Sequence, residues 1–249
     1  RCDPAEDLDA CRHRDHHRGE REIHLRVHVH AGGVHVVCPH DESNDTERDK
    51  PTRVLLICRN RKGYGQLCEL LTRAFIENKY RGRAELRREW LDSVSASDLL
   101  CLSGARDGDI GHALANGNVA LAEKLAADWA SRFPGGFYVE IQRAGHPGTE
   151  VYIRDALQIA SRLDLPVVAT HPIQFTRPED FKAHEARVCI AQGHVLADKR
   201  RPKDFTPEQY FKTQDEMCAL FADIPEALEN SVEIARRCSL TVQLGKNFL

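Results

Sequence analysis

The sequence lacks every compact signature that would announce a chemistry. It contains no G-x-x-x-x-G-K-[ST] phosphate loop, no G-x-G-x-x-G turn and no G-x-S-x-G elbow. Phosphate-loop nucleotide hydrolysis, dinucleotide binding and elbow-type acyl transfer are therefore unsupported. No two cysteines form a C-x-x-C pair, although there are nine, an odd number, at positions 2, 11, 38, 58, 68, 101, 189, 218 and 238. That spacing argues against a zinc ribbon and against a disulfide framework. Cys58, Cys101 and Cys189 sit in apolar runs and read as small buried hydrophobes in a reducing cytosol. No apolar run approaches the roughly 18 residues of a membrane helix, and no secretory leader opens the sequence. With 29% charged residues and a mean hydropathy of -0.48, the expectation is a soluble, cytoplasmic protein with no membrane partner. A strong charge of one sign is also missing. At a net -3 there is no general pull toward nucleic acid. A DNA-backbone contact would need a local patch, and Lys199, Arg200, Arg201 and Lys203 form the one candidate. Its plainer reading is a solvated loop.

What is present divides in two. Residues 1–49 hold eight of the 13 histidines, many Arg, Asp and Glu, and few aliphatic residues before Ile23. From residue 50 the pattern becomes that of a regular α/β sequence. Thr52–Cys58 is an aliphatic, β-branched run and predicts a buried strand. Residues 63–78 carry Tyr64, Leu67, Leu71, Ala74 and Phe75 at helical spacing. Strands are expected at 98–103, Phe137–Gln142 and 165–170, with helices at Asp109–Ala115, 118–132 and 149–163. Such alternation predicts a mostly parallel sheet, open or closed into a barrel. Residues 176–249 read as a helical extension. Capping boxes open at Thr176, Thr206 and Thr213, before helices at 181–191, around Tyr210 and around Met217. Asp223-Ile-Pro-Glu226 opens a further helix, and a last strand is expected at 239–244.

The candidate chemistry is scattered. His24-Leu-Arg-Val-His28-Val-His30 alternates, so a strand would place these histidines on one face, a pattern able to bind zinc or manganese. Glu140, at the end of Phe137–Gln142, lies where α/β barrels put reactive carboxylates. A structural pairing with Arg143 or a backbone group is the plainer role. Asp107 and Asp109 could pair, although Asp109 also suits a helix's first turn. His146 reads as a turn residue, and His171 follows a strand.

Three ordered runs carry a resemblance. These are Ala169-Thr-His-Pro-Ile-Gln-Phe175, Phe181-Lys-Ala-His-Glu-Ala-Arg187 and Phe221-Ala-Asp-Ile-Pro-Glu-Ala-Leu-Glu-Asn-Ser-Val-Glu-Ile-Ala-Arg-Arg237. Asn60-Arg-Lys-Gly-Tyr-Gly-Gln-Leu-Cys-Glu-Leu-Leu71, Trp90-Leu91 and Leu102-Ser-Gly104 precede them in the same order. Together they resemble the PHP (polymerase and histidinol phosphatase) domain of the bacterial DNA polymerase III alpha subunit, nearly end to end over residues 50–249. The resemblance implies a distorted PHP-type (β/α) barrel, incomplete at its start, with residues 50–175 as barrel and 176–249 as the extension toward a polymerase palm. The family places more helix and sheet between its first histidines and Thr52 than this interval can hold. Residues 1–49 thus have three readings: an extraneous or disordered tract, a rebuilt strand, or a working metal site.

The resemblance also implies that the metal set is depleted. Arg26, Ala105, Pro172 and Gln174 stand where metal-competent members place ligands, and a Gln amide is a poor replacement for imidazole. Glu140 and His28 would be remnants. The implied role is a non-catalytic scaffold within a DNA-directed DNA polymerase. No cofactor is expected in this fragment, whereas the full polymerase would use Mg2+. Implied partners are the rest of the alpha subunit, a proofreading exonuclease subunit, and DNA through the full-length protein. The alternative is a metal-dependent PHP phosphoesterase or 3'-5' exonuclease using His24, His28, Glu140 and His171.

Overall fold

The computed structural model describes residues 34–37, 52–80, 82–94, 96–238 and 240. His24, Arg26 and His28 lie outside them, as does nearly all of the strand expected at 239–244. The apolar runs become strands β1 (Val34–Val37), β2 (Thr52–Cys58), β3 (Lys79–Tyr80), β4 (Arg83–Arg87), β5 (Leu99–Leu102), β6 (Phe137–Gln142) and β7 (Val167–Thr170). Between them and after them run helices α1 (Arg61–Glu77), α2 (Asp109–Ala115), α3 (Val119–Arg132), α4 (Thr149–Arg162), α5 (Phe181–Gln192), α6 (Gln214–Leu220) and α7 (Pro225–Arg237). From residue 52 to residue 192 every element predicted from periodicity is present, within about two residues at each end.

Hydrogen bonding orders the sheet β3-β4-β1-β2-β5-β6-β7. The expectation of a mostly parallel sheet needs correction. Three pairings are parallel (β1–β4, β5–β6, β6–β7) and three antiparallel (β1–β2, β2–β5, β3–β4). The reason is the β3–β4 hairpin, which follows α1 and was not expected. It reverses the chain before the 3-10 turn at Arg88–Ser93 delivers it to β5. Strand β1 belongs to the segment that composition set apart, and it is paired on both sides.

Side-chain alternation divides the core. Val54, Leu56 and Cys58 of β2 are buried in the larger cluster, while Leu55 and Ile57 face a smaller one of Leu100, Leu102, Tyr138, Val168 and Ile234. All four residues of β5 are buried, so both of its faces are covered. On the larger side Trp129, Phe133 and Phe137 are almost wholly buried, and Trp129 stacks on Phe137. Each such side chain contributes about 1.5–3 kcal/mol through burial.

Helix α7 fixes the far edge of the sheet. Pro166 O accepts from Val139 N–H, so alternation turns the Val167 and Ala169 carbonyls away from β6. Asn230 Nδ2 and Ser231 Oγ of α7 donate to those two carbonyls at 2.8 and 2.7 Å. A helix thus satisfies an edge that would otherwise invite another strand. The described strands accordingly form an open mixed α/β sheet.

One expected helix is absent. Residues 206–211 make a single turn, and Tyr210 then bridges Phe175 in parallel. Thr206 N–H does bond Gln209 Oε1 at 2.9 Å, as the capping sequence suggests. The chain cannot continue as a helix because Gln209 O and Phe211 N–H are taken by Gln174 and Phe175. The box at Thr213 does open α6, with Glu216 returning to the Thr213 N–H.

Candidate functional site

Strands β5, β6 and β7 run parallel, so their carboxyl ends share one rim. On that rim Glu140 is 4% exposed. Its Oε2 accepts from the Gly104 N–H at 3.1 Å. Its Oε1 accepts from Gln142 Nε2 at 2.9 Å and from the Thr170 hydroxyl. The backbone is held as well: Glu140 N–H donates to Ser103 Oγ at 2.9 Å, and Tyr152 O–H donates to Glu140 O at 2.7 Å. Burial, with the neighbouring Glu140 charge, pushes the Tyr152 hydroxyl well above the usual phenol range. The cluster depends on a tight turn after β5. Gly104 has φ 77°, and a Cβ there would lie 2.0 Å from Arg53 O, so only glycine brings this N–H to Glu140. Ala105 follows at φ 49° and is fully enclosed.

Three of the positions singled out for a metal, Ala105, Pro172 and Gln174, lie among the described residues. Ala105 offers no ligand atom, and Pro172 contributes a carbonyl that accepts from Gln209 Nε2 at 3.1 Å. Gln174 uses its N–H to bond Gln209 O at 2.8 Å, within the strap formed by residues 206–211. His171 Nε2 lies 2.8 Å from Glu208 O, on the same strap, and burial holds this imidazole below its ordinary pKa. Neutral donors occupy both Glu140 oxygens. Among the described residues no group of three or more His, Cys, Asp or Glu is placed to hold a metal ion.

Arg143 does not pair with Glu140. It turns outward and forks onto Asp223 (2.6 and 2.8 Å) and Glu150 (3.0 Å to each oxygen), with a further bond to Leu220 O. This clamps the β6–α4 loop to the link between α6 and α7. The guanidinium in turn holds the Asp223 carboxyl below its ordinary pKa. A cleft of about 470 Å³ opens beside the rim, lined by Gln142, Tyr152, His146, Arg106 and His112 among others. His146 forms the turn before α4, where Thr149 Oγ1 donates to its carbonyl at 2.8 Å. Burial and nearby Arg106 lower the His146 pKa.

The basic loop is not a uniform patch. Arg201 folds inward, 11% exposed, onto Glu185. Lys199, Arg200 and Lys203 remain exposed, and Arg200 lies 3.5 Å from Asp198.

A second buried carboxylate, Asp109, belongs to a network of charged groups. Asp109 does not meet Asp107, which is exposed. It bonds the Arg88 guanidinium instead, and Trp129 Nε1 donates to both of its oxygens at 3.1 and 2.9 Å. Arg88 continues to Asp128 at 3.1 Å, which also takes Arg132. Sequence reasoning missed this network because Arg88 lies in an unremarkable Arg-Arg-Glu run. The available signal was an Arg two residues before the matched Trp90.

Comparison with known proteins identifies the family. A model of the PHP domain matches residues 15–144, more than half of the chain. The match starts inside the His-rich segment, well before residue 50. The chain is 51% identical over 208 residues to the DNA polymerase III subunit alpha of Neisseria meningitidis serogroup B, covering 83% of this chain and 18% of that protein. The same-named protein of Pseudomonas aeruginosa is 47% identical over 204 residues, covering 82% of this chain and 17% of that protein. That of Escherichia coli K12 is 41% identical over 201 residues, covering 81% and 17%. The chain therefore spans less than one fifth of the length of the curated relatives it matches. It belongs to the PHP domain family.

Proposed function

We propose that this chain is the PHP region of a DNA polymerase III alpha subunit and acts there as a non-catalytic scaffold. The supporting observation is the occupation of Glu140 by Gly104, Gln142 and Thr170. Three donors take up most of the roughly four acceptor sites of this carboxylate, which leaves little of it for a metal or a proton. The levels of identity to named alpha subunits support the parent assignment. In the whole protein, DNA-directed DNA synthesis with Mg2+ would occur in parts beyond this region. The present domain would brace those parts and present a surface to a proofreading exonuclease subunit in the cytoplasm. No described helix is long and apolar enough to cross a membrane. On this reading the sheet is part of a distorted PHP barrel, with α7 seated on the edge at β7.

The test is co-expression with the exonuclease subunit of the same organism. A stable complex on gel filtration, without hydrolysis of p-nitrophenyl phosphate by the chain alone, is the expected result. Independent elution would remove the scaffold role. Hydrolysis lost in Glu140→Ala would establish the phosphoesterase alternative.

A further inference from the structure

A separate cleft of about 540 Å³ lies at the opposite end of the sheet, at the amino ends of β5 and β6. It is lined by Arg59, Arg132, Arg237, Ser97, Ser131 and by apolar residues, with no carboxylate among the described residues of its wall. The three guanidinium groups come from different elements: the β2–α1 link, the end of α3 and the end of α7. Arg132 is neutralised by Asp92 and Asp128 behind the wall. Arg237 bonds only neutral acceptors, Tyr138 Oη and Gly135 O, among the described residues. Arg59 reaches Ala96 O at 3.4 Å, and its Nε is shielded from solvent with no hydrogen-bond partner.

Helix dipoles explain part of this. Arg132 and Arg237 occupy last turns, where a cation is favoured. The dipoles do not explain why Arg59, which lies on no helix, joins them with an unmet donor. Leaving a buried N–H unmet is costly, and a small turn of the Arg59 side chain, which lines the cleft, would bring it to an oxyanion there. Planar guanidinium forks match phosphate oxygens in pairs, and the volume lies within the roughly 300–1,000 Å³ of small-molecule sites.

We propose that this cleft binds a phosphate-class oxyanion, held between Arg59 and Arg237 with Arg132 behind them. The site stands apart from the Glu140 rim and does not depend on the scaffold reading. Its source is either a free phosphate-bearing molecule or the phosphodiester backbone of DNA, and the experiment separates them.

The full 249-residue chain, labelled on arginine, is titrated with inorganic phosphate at constant ionic strength, chloride being the control anion. The Arg59 Nε–H resonance should shift saturably with phosphate and not with chloride. Arg59→Gln and Arg237→Gln should each weaken phosphate binding at least tenfold, while the Lys199→Gln, Lys203→Gln double variant leaves it unchanged. In a parallel arm, a short DNA duplex that binds with the same dependence on Arg59 and Arg237 identifies the phosphodiester source. Phosphate binding without duplex binding identifies a free phosphate-bearing molecule. A shift shared with chloride, or affinity that survives both arginine variants, overturns the proposal. Should Arg237→Gln unfold through loss of its bonds to Tyr138 and Gly135, the wild-type titration and Arg59→Gln still decide.

Discussion

Glu140 and Asp109 are both carboxylates with 4% exposure, yet opposite chemistries hold them in place. Asp109 meets a guanidinium and an indole N–H inside the larger core. Glu140 meets a backbone N–H, an amide and a hydroxyl at the rim of the sheet. The first is an ion pair isolated from water. The second takes hydrogen bonds from neutral dipoles on both oxygens. Burial of an acid therefore says little about function until its partners are named.

Breaking each site should separate them. The largest effect is expected for Arg88→Ala, which strands Asp109 without its cation. Loss of one partner of a buried pair costs about 3–5 kcal/mol. A fall of that size in urea-unfolding free energy checks it, and a cost as small as that of a surface pair would break the contrast. Glu140→Ala should cost less, about 1–3 kcal/mol, because the groups known to lose their acceptor, on Gly104, Gln142 and Thr170, are neutral donors. The same unfolding assay ranks the two.

An exposed version of the guanidinium–carboxylate pair provides the lower bound. Arg143 and Asp223 form a forked bond near the surface, so Asp223→Ala should cost no more than about 1 kcal/mol. The Asp223 pKa is depressed by Arg143. Its stabilisation is therefore complete above the unfolded value of about 3.9 and fades as pH falls through the lower folded value. Wild type and Asp223→Ala should converge in stability once the pH has fallen below the depressed folded value, and a widening gap on acidification would contradict the sign. Concentrated salt should shrink this contribution while leaving the Arg88–Asp109 pair nearly untouched.

Elements were legible where one local rule governed them. The apolar run at Thr52–Cys58 and the spacing of Val119, Leu125 and Trp129 located a strand and a helix without reference to anything distant. Most of the failures involve partners far along the chain. Residues 206–211 carry a valid capping sequence, but Phe175, more than thirty residues earlier, claims their backbone as an extended strap. The β3–β4 hairpin is too short to show a period. At the candidate site, sequence pointed to Glu140 but not to its donors, since Gly104 and Thr170 converge only through the parallel order β5-β6-β7. It offered Arg143 or a backbone group as the partner of Glu140; the Gly104 N–H is such a group, whereas the Arg143 guanidinium reaches eighty residues onward to Asp223. Arg201 looked like its basic neighbours until Glu185 turned it inward.

The central claim is that Glu140 is a structural acceptor rather than a metal ligand. The most direct measurement is the metal content of the purified 249-residue chain after equilibrium dialysis against zinc and against manganese, with Glu140→Ala alongside. The account predicts the same substoichiometric content in both proteins, with the variant less stable. One ion per chain in the wild type, lost in Glu140→Ala, would contradict it.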